Sequence, residues 1–361
     1  MIKYLAFIIL PLTLQFTRAQ ISSDTLYDQS KAIIADLDSI VTPEGIQENF
    51  LLDIGGVNQW VFTRGKNINN PAILMVHGGP ASPLTPLAWT FQRPIEEYFT
   101  VVNYDQRGAG KTYHDNDTIK LNKSIHIDQY VEDCIEIAEL IRKRYNKEKV
   151  FLLGHSWGSI VGMKAALRRP DLFYAYIGVG QVIKTLENEK LSFEHGLSKA
   201  KENNNQEAIK ELMSIAPYPG TAPLTRDRII TARKWAQYYG GLAAYRNEFS
   251  FFFKSPLLSP EYNINDVKAI HQGNIFTLEK LLDEFLSVDL TQVTTFPIPV
   301  FQFMGKHDYS TPTQPTVEWI NKVNAPYKKA VWFHDSSHLL PMEEPGKFLL
   351  ELVSSVRPLA E

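Results

Sequence analysis

Apolar residues along this chain fall into two kinds of run. AILMV from Ala72, TVVNY from Thr100, VFLLGH from Val150 and YAYIGV from Tyr174 are short and unbroken. Unbroken runs of this length predict strands buried on both faces. Between them, Ser124–Tyr145 (SIHIDQYVEDCIEIAELIRKRY) places apolar residues three and four apart and ends in basic residues. That spacing predicts a helix whose last turn suits its dipole. A second helix is predicted from about Gly158. FLLDIGG and QWVFTRG read as a hairpin around Gly55-Gly56. Strands that alternate with helices predict a parallel sheet with right-handed crossovers.

From Gln181 to Thr294 the strand runs vanish. Charged, helix-favouring stretches replace them, with aromatic patches at KWAQYYGG and EFSFFFKSP. The strand pattern returns at PVFQFMG (Pro299–Gly305) and KAVWFHD (Lys329–Asp335), and a helix is predicted near Lys347–Val356. The economical reading is an α/β core (residues 20–180 and 295–361) interrupted by a helical cap (181–294). The cap leaves one strand and returns to the next. It is therefore expected over the carboxyl edge of the sheet, where open α/β sheets bind ligands. Residues 1–19 differ again: Lys3, an apolar run from Tyr4 to Leu14, then a polar segment ending at Ala19. That order is a secretory signal peptide, too short to span a bilayer, so a secreted or periplasmic location is expected.

Composition changes this picture little. With 361 residues, 44% of them hydrophobic, the chain can bury a large core. Its 37 basic and 40 acidic residues leave no block of one sign, which argues against a nucleic-acid partner. The single cysteine, Cys134, lies on the apolar side of a predicted helix and can form no intrachain disulfide. No metal-binding spacing such as H-E-x-x-H occurs, and no cofactor is expected.

The candidate chemistry sits at strand ends. Gly154-His155-Ser156-Trp157-Gly158 matches G-x-S-x-G after a strand and before a helix. Such a turn raises the serine hydroxyl above the sheet edge. A serine attacks only if a base takes its proton and an acid orients that base. Asp308 follows the Pro299–Gly305 strand, and His338 follows the Lys329–Asp335 strand. Both leave the sheet on the edge that carries Ser156. A tetrahedral oxyanion needs two donors. Trp157 offers its backbone N–H, and Gly79 in His77-Gly78-Gly79-Pro80 is the second candidate. Asp105 and Arg107 in DQRGAG are expected to brace the loops of the same edge.

HGGP, DQRGAG and GHSWGS in this order resemble the α/β-hydrolase superfamily, and within it the prolyl iminopeptidase-like serine peptidases of family S33. The resemblance implies a triad of Ser156, Asp308 and His338 with oxyanion donors Gly79 and Trp157. It implies an aminopeptidase acting on small peptides through an acyl-enzyme. Family members that remove an N-terminal proline hold the substrate ammonium with two cap acids. The W-E acid is absent here, since Trp235 precedes Ala236. RNEFSFF keeps Arg246 and Glu248, so Glu248 is the substrate-binding candidate. The alternatives are an esterase of small apolar esters or amides and, more remotely, a non-catalytic binding protein on the same fold. Epoxide hydrolases and dehalogenases place a carboxylate where Ser156 stands.

Overall fold

A computed structural model describes residues 23–220 and 223–361. The segment read as a signal peptide lies outside these residues. Eight strands form one sheet: β1 (Ile46–Ile54), β2 (Val57–Gly65), β3 (Ala72–Val76), β4 (Thr100–Tyr104), β5 (Val150–His155), β6 (Phe173–Val179), β7 (Val300–Gly305) and β8 (Lys328–Phe333). Their order is β1-β2-β4-β3-β5-β6-β7-β8. β1 pairs with β2, and β2 with β4, in antiparallel fashion; every other pairing is parallel. The sequence-predicted hairpin is β1–β2, turning on Gly55 and Gly56, both at positive φ. β1 alternates exposed and half-buried residues, as an edge strand open to solvent on one face does.

Successive side chains of a strand point to opposite faces, and the core divides accordingly. Leu74, Val76, Val150 and Leu152 pack on one side with Val131, Ile135 and Ala138 of the Ile127–Arg144 helix. Ile73, Met75, Phe151 and Leu153 pack on the other with Phe348, Leu352 and Val356 near the C-terminus. Continuous apolar runs are required because β3, β5, β6 and β7 are covered on both faces. Cys134 is buried in the first layer. Between β6 and β7 the chain is helical, with Thr185–Glu202, Gln206–Ser214, Arg226–Ala236 and Ile264–Leu286 as its longer helices. Among the described residues, no helix is long and apolar enough to cross a membrane.

The turn from β5 into the Trp157–Arg168 helix is dictated by close packing. A Cβ on Gly158 would collide with the carbonyl oxygens of Val76 and His77, and one on Gly154 would lie 2.5 Å from the carbonyl oxygen of Gly158. These are backbone atoms and cannot step aside. Gly158→Ala should therefore lower the thermal midpoint by several degrees or more, the cost of overpacking at a site with no flexible neighbour. A differential scanning measurement matching the wild type would contradict this.

Candidate active site

Ser156 sits at φ 55°, ψ −123°, at the N-terminus of the Trp157–Arg168 helix. Positive φ strains a residue with a side chain. The surroundings hold it there. The Ser156 N–H donates to the Val179 carbonyl on β6 (2.9 Å), and its carbonyl accepts from the Ser159 N–H (2.8 Å). Ser159 Oγ donates to the same carbonyl, and the Val182 N–H donates to Ser159 Oγ (2.9 Å). The turn is thus pinned to the chain leaving β6.

Asp308 and His338 follow β7 and β8. The buried Asp308 carboxylate accepts from the N–H groups of Ser310 (2.9 Å) and Thr311 (2.8 Å) through Oδ1. Its Oδ2 lies 2.8 Å from His338 Nδ1 and 2.9 Å from the Thr311 hydroxyl. An ionised carboxylate only accepts, so Nδ1 carries a proton and a neutral ring leaves Nε2 bare. Ser156, His338, Gly78 and Gly79 line one cavity. Among the described residues, no hydrogen bond joins the Ser156 hydroxyl directly to His338; such contacts often tighten only with substrate bound.

Two backbone N–H groups are the candidates to receive an oxyanion. The Trp157 N–H is in the first turn of its helix, where no carbonyl is available within the helix. Gly79, at φ 118°, has no hydrogen-bond acceptor for its N–H among the described residues. One chain of contacts ties the two loops together. His77 Nδ1 donates to the Gly78 carbonyl (2.9 Å), and its Nε2 accepts from the Gln106 N–H (3.0 Å). The Gln106 amide then donates to the His77 carbonyl (2.9 Å) and accepts from Trp157 Nε1 (3.0 Å). Gln106 belongs to the DQRGAG stretch, whose bracing role is visible throughout. Asp105 accepts from Thr85, the Lys111 N–H and Tyr262, and Arg107 Nε meets Asp133 at 2.6 Å. Burial pushes Asp105 up to about 7, against the hydrogen bond from Tyr262.

The helical segment between β6 and β7 reaches into the same place. The Gly241 carbonyl accepts from the N–H groups of Tyr309 (3.2 Å) and Ser310 (2.9 Å), and the Leu242 carbonyl accepts from His338 N–H (3.0 Å). Glu343 Oε2 accepts from the N–H groups of Ser337 and Leu339, each at 3.0 Å, while Oε1 accepts from Ala244 N–H (2.6 Å). Burial raises the Glu343 pKa, and these three donors oppose it. Sequence reading missed Thr311, Gly241 and Glu343. For Thr311 a signal existed: an Asp followed two and three residues later by Ser and Thr favours a turn closed by the Asp side chain. Gly241 and Glu343 act only through long-range contacts. Glu248 is exposed and is not among the residues lining the cavity; the structure does not bring it to Ser156.

An eight-stranded, mostly parallel sheet with a strained serine at a strand-to-helix turn defines an α/β-hydrolase. Residues 69–345 match the family described as serine aminopeptidase, S33. The chain belongs to that family, and it is an aminopeptidase- and proline iminopeptidase-like hydrolase at that level. It is similar to the probable aminopeptidase YbaC of Bacillus subtilis, with 29% identity over 300 residues, 82% of this chain and 92% of the relative. It is also similar to a proline iminopeptidase of Heyndrickxia coagulans, with 24% identity over 79% of this chain and 90% of that protein. Among solved structures, VinJ superposes with a TM-score of 0.62 at 18% identity, covering 86% of this chain and 99% of that one. The proline iminopeptidase of Mycobacterium smegmatis gives 0.57 at 16% identity, covering 87% and 99%. At these identities the two structures show a shared fold.

Two histidines beside the serine are held neutral. Burial pushes His155 down to about 3, assisted by the neighbouring His338, and burial pushes His77 down to about 4. In the unfolded chain both titrate near the ordinary histidine value. Unfolding therefore takes up protons below about pH 6.5, and stability falls as pH falls through that window. Each should cost on the order of 2 kcal/mol by pH 5 relative to pH 8. Urea midpoints at the two pH values check this. His77→Gln should flatten the dependence, and an unchanged slope would show that His77 is not neutral by burial.

Proposed function

We propose that the protein hydrolyses small peptide or ester substrates through an acyl-enzyme on Ser156. His338 Nε2 takes the hydroxyl proton as the oxygen attacks the substrate carbonyl. Asp308 holds the ring in the required tautomer and stabilises the imidazolium that forms. The oxygen of the tetrahedral intermediate becomes negative and is met by the N–H groups of Gly79 and Trp157. His338 then returns the proton to the departing amine or alcohol. Water, activated by the same nitrogen, releases the acid and restores Ser156. The observation that carries this reading is the 2.8 Å contact of His338 Nδ1 with a buried Asp308, on a cavity that also holds the strained Ser156.

The names of the relatives favour peptide substrates. The helical segment supports the idea of a cap that covers the site, because Arg233, Gln237, Leu242 and Phe252 line the cavity together with Ser156. A second reading, hydrolysis of apolar esters, is favoured by one specific observation: no carboxylate is among the described residues that line that cavity. A buried ammonium needs such a group in place of its lost hydration. The signal-peptide pattern of residues 1–19 supports export of the mature chain.

Ser156→Ala and His338→Ala should each lower kcat by about 10³-fold or more, because the three groups act as a unit. Asp308→Asn should be comparably severe through the wrong tautomer. Turnover of aminoacyl arylamides and short acyl esters, compared across the variants, provides the check. Ser156→Ala with wild-type turnover on either class would refute the assignment.

A further inference from the structure

The part of the cavity wall that comes from the helical segment carries one formal charge, and it is positive. Arg233, on the Arg226–Ala236 helix, is the only lysine, arginine, aspartate or glutamate among the described residues that line the cavity. The rest of the lining is largely apolar, with Leu84, Leu87, Phe91 and Met342 as examples. Arg233 is paired with Glu189, which is itself 1% exposed. The pairing is one-sided. Glu189 Oε1 accepts from Nε (3.0 Å) and Nη2, and Glu189 Oε2 accepts from the Tyr218 hydroxyl. Both carboxylate oxygens are thus engaged, and Glu189 is not among the described residues that line the cavity.

Arg233 is not exhausted by this contact. A guanidinium has five N–H donors in a rigid fork. Glu189 takes the edge formed by Nε and Nη2. Nη1 has no hydrogen-bond partner among the described residues, and the side chain keeps 28% of its surface exposed. The Nη1–Nη2 edge therefore remains, with the spacing that matches two carboxylate oxygens. Gln237 lies one turn further along, lines the same cavity and adds a neutral amide beside it.

We propose that Arg233 is a specificity-determining residue that reads a carboxylate on the substrate, so that the preferred substrates join an apolar acyl region to an anionic group and bear no free ammonium at that wall. The proposal rests on the acyl-enzyme reading above. The carboxylate could stand on the acyl group or on the leaving group, as at the carboxyl end of a short peptide. A cation at the same place would meet Arg233 directly, while the paired Glu189 stays outside the cavity lining, and an arginine desolvated by the ligand would repel it.

The test compares 4-nitrophenyl butyrate, mono-4-nitrophenyl glutarate and the 4-nitrophenyl ester of 4-aminobutyrate. These are neutral, anionic and cationic at the end of similar acyl groups. 3-Butyryloxybenzoate adds the arm with the carboxylate on the leaving group and is compared with phenyl butyrate. The proposal expects kcat/KM for at least one carboxylate arm to exceed its neutral partner by ten-fold or more, and the aminobutyrate ester to be slowest. Arg233→Lys keeps a positive charge for Glu189 but loses the fork. It should reduce the anionic-to-neutral ratio at least ten-fold. A preference for the cationic ester, a neutral ester faster than both anionic arms, or a ratio that survives Arg233→Lys would overturn the proposal. If that variant does not fold, inhibition of the wild type decides. Glutarate should inhibit at a ten-fold lower concentration than butylammonium, and the reverse order would overturn the proposal. These failures differ from failure of the acyl-enzyme reading. In that case no ester turns over and Ser156 takes up no fluorophosphonate, and the proposal falls with it.

Discussion

The backbone of Ser156 occupies a conformation that costs a residue with a Cβ about 1–3 kcal/mol. It persists because three pieces of main chain leave it no alternative. The Val76 and His77 carbonyls fill the space that a side chain on Gly158 would need, the Gly158 carbonyl does the same at Gly154, and the Val179 carbonyl accepts from the Ser156 N–H. The consequence is a hydroxyl raised above the sheet and a helix whose first N–H groups face the same space. The loop after β3 is fixed to this turn through His77, Gln106 and Trp157. The two proposed oxyanion donors are thereby held as one unit, and in a dry site such prearranged donors need no reorganisation as charge develops.

The acid and the histidine depend on a different constraint. Their loops leave neighbouring strands, but sheet pairing ends before either residue. Beyond that point the backbone of Gly241 and Leu242 supplies carbonyls to both loops, and Glu343 gathers three N–H groups from the chain around His338 and Ala244. A Cβ on Gly241 would fall 2.9 Å from Tyr309 Cβ, so the close approach itself requires glycine. The helical segment is therefore tied to the loops that carry Asp308 and His338 by main-chain hydrogen bonds. Motions of that segment would be felt at Asp308 and His338. Buried neutral histidines complete the setting. His155 lies with its ring 4.8 Å from that of His338, and a charge there would oppose formation of the imidazolium.

Much of this was legible from residues alone, for a physical reason. Strands covered on both faces are mostly apolar, so β3 to β7 appear as runs interrupted only by buried polar residues such as Asn103 and Gln302. The candidate residues follow from topology: Ser156 and Asp308 come soon after such runs, and His338 follows β8, whose residues are partly exposed. Gly79 and Trp157 could be chosen because glycines and helix starts expose N–H groups. Glu248 shows the opposite case. Its choice rested on a local match to a family stretch, and the fold leaves Glu248 itself exposed while Phe252 of the same stretch lines the cavity. Charge at the cavity is instead set by Arg233 and Glu189, 44 residues apart in sequence and meeting only when two helices of the segment pack. No periodicity records such a meeting. Glu343 was hidden for the same reason, because its role lies in three backbone groups brought to it from separate loops.

The central claim is that Ser156 attacks while Gly79 and Trp157 receive the developing oxyanion. A crystal structure of the protein after reaction with a short-chain alkyl phosphonate tests it most directly, because the phosphonyl adduct imitates the tetrahedral intermediate. The account predicts a covalent bond from phosphorus to Ser156 Oγ, with the phosphonyl oxygen within about 3 Å of both backbone nitrogens and His338 Nε2 beside the adduct. An adduct on another serine, or a phosphonyl oxygen turned away from Gly79 and Trp157, would contradict it.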